Sequence, residues 1–152
     1  LKVTQVQRPD VPLTAYASEN LFKLYLLDTG LLGAMAGLTP RDLLAQDFGT
    51  YKGWMTENFI AQELSAAGYA PLYFWRGKTS EVDFLVASPS GIIPVEVKAG
   101  TVTRSRSLTT FVTQFNPSLA IRLSACNTTR RSGAIRDLPL YLAGQLCRFL
   151  PV

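Results

Sequence analysis

Two runs of alternating character, Ser80–Ala87 and Ile92–Lys98, are separated by Ser88-Pro89-Ser90-Gly91, and this pattern restricts the fold more than any other. Apolar residues at every second position have the period of a half-buried strand, and a Pro/Ser/Gly-rich break between two such runs closes a β-hairpin. Alternation puts Val82, Phe84 and Val86 on one face, together with Ile93, Val95 and Val97. The other face carries Glu81 and Asp83 on the first strand and Glu96 and Lys98 on the second. With Ala87 and Ile92 closing the loop, Asp83 lies across from Glu96 and Glu81 from Lys98. Like charges opposed on a ladder, with Cβ atoms about 5 Å apart, repel. A divalent cation between them relieves the repulsion. A one-residue slip would bury the charges, so the apolar pattern forbids it; a two-residue slip keeps the shared face and changes only the pairing.

A further acid is aimed at the same region. Tyr51–Ala67 has helical composition and stops before Gly68. At 100° per residue, Glu57, Ile60, Ala61, Leu64 and Ala67 share one stripe, while Lys52, Gln62 and Glu63 lie off it. A carboxylate on the buried stripe needs a cation or a metal as partner. The competing reading is that Glu57 only exploits the positive end of the helix.

Helix glutamate, strand aspartate, then Glu-X-Lys on the next strand resembles the PD-(D/E)XK nuclease superfamily, especially its Holliday-junction-resolvase-like branch. More narrowly, the chain resembles the domain of unknown function at the C-terminus of bacterial and archaeal AAA+-type ATPases. The matching segments are Phe22–Leu32, Glu57–Leu64, Tyr73–Arg76, Glu81–Phe84, Pro94–Lys98 and Leu138–Leu142. The resemblance implies a restriction-endonuclease-like, three-layer α/β/α fold with a mixed central sheet and an αβββαβ core. It also implies a metal-dependent endonuclease, hydrolysing DNA phosphodiesters, in which Glu57, Asp83, Glu96 and Lys98 are catalytic. Asp83, Glu96 and Glu57 would hold one Mg²⁺, with Mn²⁺ as a substitute, and Lys98 would position or activate water and offset transition-state charge. The first motif acid sits in Glu-Val-Asp rather than Pro-Asp, which leaves Glu81 and Asp83 both open as the ligand; Asp83 matches the motif acid of resolvase-like relatives. Arg76, Lys78, Arg104 and Arg106 flank the hairpin as candidate phosphate contacts. An upstream ATPase module of the same polypeptide is the implied partner besides DNA, and oligomerisation is left open. The alternative is a non-catalytic nuclease-fold domain that serves regulation or partner binding by the ATPase.

Composition narrows the chemistry. The 152 residues contain no histidine, so Ser-His-Asp and Cys-His schemes and His-based zinc sites are excluded. Cys126 and Cys147 form no CxxC pair and read as reduced core cysteines, which points to the cytoplasm. The net charge of +4 permits nucleic-acid binding. Leu21–Leu38, the most apolar stretch, is interrupted by Lys23, Asp28 and glycines and is no membrane span. No Walker motif is present.

Residues 1–17 read as a linker from a missing upstream region, with 18–152 as the nuclease-like domain. Asn20–Leu27 fits either a buried strand or a helix start. Thr39 and Pro40 open a short helix through Ala45. Leu72–Arg76 reads as a strand with Tyr73 and Trp75 on one face, and a helix runs to about Phe115 before Asn116-Pro117. Leu119–Ser124 is a strand, Asn127–Gly133 a polar loop, and Leu138–Leu150 a helix or a short strand plus helix. A parallel crossover joins the second hairpin strand to Leu119–Ser124.

Overall fold

A computed structural model describes residues 1–45, 49, 51–101 and 104–150. The alternating runs form strands β1 (Lys2–Val6), β2 (Ala17–Leu24), β3 (Leu72–Arg76), β4 (Glu81–Ser88), β5 (Gly91–Lys98), β6 (Ala120–Ser124), β7 (Arg130–Ser132) and β8 (Ile135–Pro139). The helices are α1 (Thr29–Met35), α2 (Pro40–Ala45), α3 (Tyr51–Ala66) and α4 (Arg106–Phe115), with 3-10 turns at Leu13–Tyr16 and Leu140–Arg148. All strands join one mixed sheet in the order β2-β1-β3-β4-β5-β6-β8-β7, so the acidic hairpin lies at its centre. No helix among the described residues is long and apolar enough to cross a membrane.

Helices cover both faces. Ile60, Ala61 and Leu64 of α3 pack with Val3, Phe74, Phe84, Val86, Ile93, Val95, Val97, Ile121 and Leu123. On the opposite face Phe111 of α4 packs with Val6, Tyr73, Trp75, Val82 and Leu85. The order α3-β3-β4-β5-α4-β6 is the predicted αβββαβ succession, and β5 and β6 are parallel across α4 as expected. Local signals act where they were read. The Asp42 carboxylate accepts from both the backbone N–H and the hydroxyl of Thr39 ahead of α2, and Asn116 ends α4 in the left-handed region at φ 46°.

Five expectations need correction. Cys126 is half-buried and Cys147 exposed, so they are not core cysteines. Residues 1–17 are not a linker outside the fold: β1 sits between β2 and β3, and Val3 and Val6 are fully buried. The polar loop at Asn127–Gly133 contains β7, which pairs with β8 as a terminal hairpin. Val82 does not share a face with Phe84 and Val86. Tyr73 pairs with Leu85 and Trp75 with Val82, so three steps along β4 oppose two along β3, and the extra residue at Asp83-Phe84 reverses the alternation. The same bulge sends Glu81 away from Lys98; it pairs with Arg76 on β3 instead.

Candidate active site

The hairpin keeps its inferred register from Ser88↔Gly91 to Phe84↔Val95. Beyond that pair the bulge takes the β4 backbone off the ladder, and the Asp83 carboxylate accepts the Val97 N–H at 2.8 Å. A side chain thereby satisfies a backbone donor that the strand would otherwise have met. This places Asp83 in the opening between β4 and β5, beside Glu96.

Glu96 is buried, with one carboxylate oxygen bonded to the Lys98 ammonium at 2.8 Å. Its other oxygen, Oε2, is buried without a hydrogen-bond partner. A charged oxygen in that state costs free energy and calls for a cation or a water as partner. Burial first, then the charges of Glu96 and Glu57, push the Asp83 carboxyl up to about 8, against the partial relief of the Val97 N–H and Lys23. Glu57, Asp83 and Glu96 are thus within electrostatic reach of one another, although they come from a helix and two strands.

Their approach is not symmetric. Val95 and Val97 pack toward α3, so alternation sends Glu96 and Lys98 to the other side of β5, while Glu57 reaches Asp83 from α3. Accordingly, no three His, Cys, Asp or Glu side chains among the described residues stand close enough to hold a metal ion together. Of the two other acids, Glu96 acts on Asp83 more strongly than Glu57.

Glu57 is held by residues the sequence reading passed over. The Tyr25 hydroxyl donates to Glu57 Oε2 at 2.8 Å, and Lys23 Nζ lies 3.9 Å from the same oxygen. Lys23 also forms an ion pair with Glu81, whose second oxygen is taken by Arg76 at 2.5–2.6 Å. Burial raises the Tyr25 hydroxyl pKa well above its ordinary value, and the negative charge of Glu57 raises it further, so it stays a donor. Burial acts to raise Glu81 as well, but Lys23 and Arg76 prevail and bring it below its ordinary value. Glu81, held by two cations, is therefore occupied, whereas Asp83 faces other acids; the geometry separates the two candidates of the Glu-Val-Asp motif. Asn58 on α3 fixes Tyr25 in place, accepting from Leu26 N–H at 2.7 Å and donating to its carbonyl at 3.2 Å. The one available signal was Lys23, a lone cation inside the apolar run Asn20–Leu27.

The basic residues divide. Arg76 is spent on Glu81, and Lys78 lies in a shallow pocket beyond β3 with Arg8, Trp75 and Gln114. Arg104 and Arg106 line a cavity of about 540 Å³ at the start of α4, together with Arg122, another residue not singled out from sequence. Arg122 pairs in register with Glu96 across β5 and β6 and is bonded to Asp137 at 2.6 Å.

The family model named Domain of unknown function (DUF4143) matches residues 52–141, more than half of the chain, which includes α3, the hairpin and β6 to β8. The chain belongs to that family. No curated protein and no solved structure matches it.

Proposed function

We propose that this member of the DUF4143 family is a metal-dependent phosphodiesterase domain of the PD-(D/E)XK type, with the restriction-endonuclease-like three-layer arrangement, acting on DNA. The observation that carries the reading is the half-buried Asp83 carboxylate next to the buried Glu96 at the opened end of a hairpin, with Glu96 Oε2 unpartnered and Lys98 on its other oxygen. A scaffold gains nothing by retaining two such carboxylates.

The donor set suits Mg²⁺, with Mn²⁺ as its substitute. Mg²⁺ is usually held by one or two carboxylates, with waters and substrate phosphate completing the shell, so Asp83 and Glu96 suffice without a third acid. When bound, it supplies Lewis-acid polarisation of the phosphate and lowers the pKa of water at the site. The chain's residues do the remainder. Lys98 offsets charge that develops on the phosphate and holds the attacking water. Glu57, fixed by Tyr25 and Lys23, adds negative charge next to the pair and strengthens its hold on a cation. Arg104 and Arg106 grip the neighbouring backbone.

A second reading keeps the fold and drops the catalysis: a nuclease-like domain for regulation by, or docking to, an ATPase module. The engagement of Arg76 with Glu81 favours it, since that cation is withdrawn from phosphate binding. Calorimetric titration with Mn²⁺ separates the two. The catalytic reading expects one site in the wild type that is lost in both Asp83→Asn and Glu96→Gln; no binding to the wild type would remove it.

A further inference from the structure

The three parallel strands β5, β6 and β8 end together, and α3 crosses above their carboxyl ends. Between them lies a cavity of about 580 Å³ that the site described above does not use. Open α/β sheets bind ligands in this position. Met55 and Phe59 of α3 face Pro139 and Leu140 across it, which gives an apolar slot. Tyr141, 62% exposed, stands at the mouth with its hydroxyl donating to Asn127 Oδ1 at 2.6 Å. Lys52 supplies a cation at the same mouth, with no acid within ion-pair distance among the described residues. Apolar walls, a few polar groups at the rim and one cation are what a planar heteroaromatic ring attached to a phosphate requires.

The cavity adjoins, along the chain, the ends of β5 and α3 that carry the site residues. Ala99, which follows Lys98, and Thr56, which precedes Glu57, both line it. A strand laid across the ends of β5 and β6 with a phosphate at Asp83 and Glu96 would therefore bring an adjoining base to the slot. We propose that this cavity is a nucleobase subsite, which takes an unstacked base of single-stranded or frayed DNA beside the scissile phosphate. The inference rests on the phosphodiesterase reading above. Bases inside a duplex do not reach such a slot, so the subsite selects strands whose bases are already free.

The test is equilibrium binding, in EDTA, of a fluorescent oligothymidylate and of an abasic backbone of the same length and charge. The wild type should bind the thymidylate at least about tenfold tighter, the contribution of one stacked base. Tyr141→Ala, at an exposed position, should erase most of that difference and leave the abasic affinity unchanged. Trp54→Ala, at an exposed aromatic of α3 outside the cavity, should not alter it. Tight but equal binding of the two probes, or loss of the difference in Trp54→Ala rather than Tyr141→Ala, overturns the subsite and leaves the phosphodiesterase reading standing. Failure to bind either probe overturns the subsite, whereas the phosphodiesterase reading stands or falls on the Mn²⁺ titration.

Discussion

In metal-free solution Asp83 should make this protein less stable as the pH rises through neutrality. Its carboxyl moves from the ordinary 3.8 to about 8 on folding, first because it is buried and then because Glu96 and Glu57 are near. Between those values the folded state holds a proton that the unfolded state has released. Stability then falls with rising pH, by about 1.4 kcal/mol per pH unit for one proton. The full window corresponds to a loss on the order of 5 kcal/mol. Glu81 has the opposite sign: against burial, Lys23 and Arg76 lower its carboxyl from the ordinary 4.5, so its contribution is already in place above that value and adds no slope between pH 5.5 and 7.5. From pH 5.5 to 7.5 the expected loss is about 3 kcal/mol, or roughly 5–10 °C in Tm for a chain of this size. Asp83→Asn keeps an oxygen for the Val97 N–H and removes the charge, so its Tm should be nearly level across the same range and exceed the wild type at pH 7.5. Thermal melts by circular dichroism in EDTA decide it. A wild-type Tm that is flat or rises over this range, or an Asp83→Asn variant with the wild-type slope, would refute the reasoning.

Other expected outcomes follow from packing. Val3→Ala should cost about 2 kcal/mol, because Val3 is fully buried in β1, and deletion of residues 1–6 should leave no cooperative melt, since β1 joins β2 to the remainder of the sheet. Asp137→Ala should cost about 3 kcal/mol in denaturant titrations by leaving the mostly buried Arg122 without its partner, whereas the double variant Arg122→Leu/Asp137→Ala should recover part of that loss. Tyr25→Phe should lower stability by about 1 kcal/mol through the lost bond to Glu57, measured in the same titration.

The parts of this fold legible in the sequence are those set by period and punctuation. Strand β3 shows its two faces, α3 ends at its glycine, and the hairpin register follows from its apolar face and its loop. The period misled where a residue was inserted. The bulge at Asp83-Phe84 exchanges the faces of Glu81 and Val82, and nothing in Glu-Val-Asp-Phe announces it. β1 was missed because its pairing also shifts between Thr4 and Val6, so that its buried valines, Val3 and Val6, are three apart rather than two. At the candidate site, the proximity of Asp83, Glu96 and Lys98 was readable because they share one hairpin, and that of Glu57 because a charge on an apolar stripe is anomalous. Tyr25 and Lys23 act across 32 and more positions of chain. Their roles exist only once β2 is laid beside β1.

The central claim is tested most directly by metal-dependent cleavage of linear, single-stranded and four-way-junction DNA, with metal affinity measured on the same preparations. Lys98 touches Glu96 and is no ligand. Lys98→Ala should therefore lose cleavage while its Mn²⁺ affinity stays close to that of the wild type, whereas Asp83→Asn should lose both. Wild-type protein that binds no metal and cuts no DNA, or cleavage that persists undiminished in Asp83→Asn, would contradict the account.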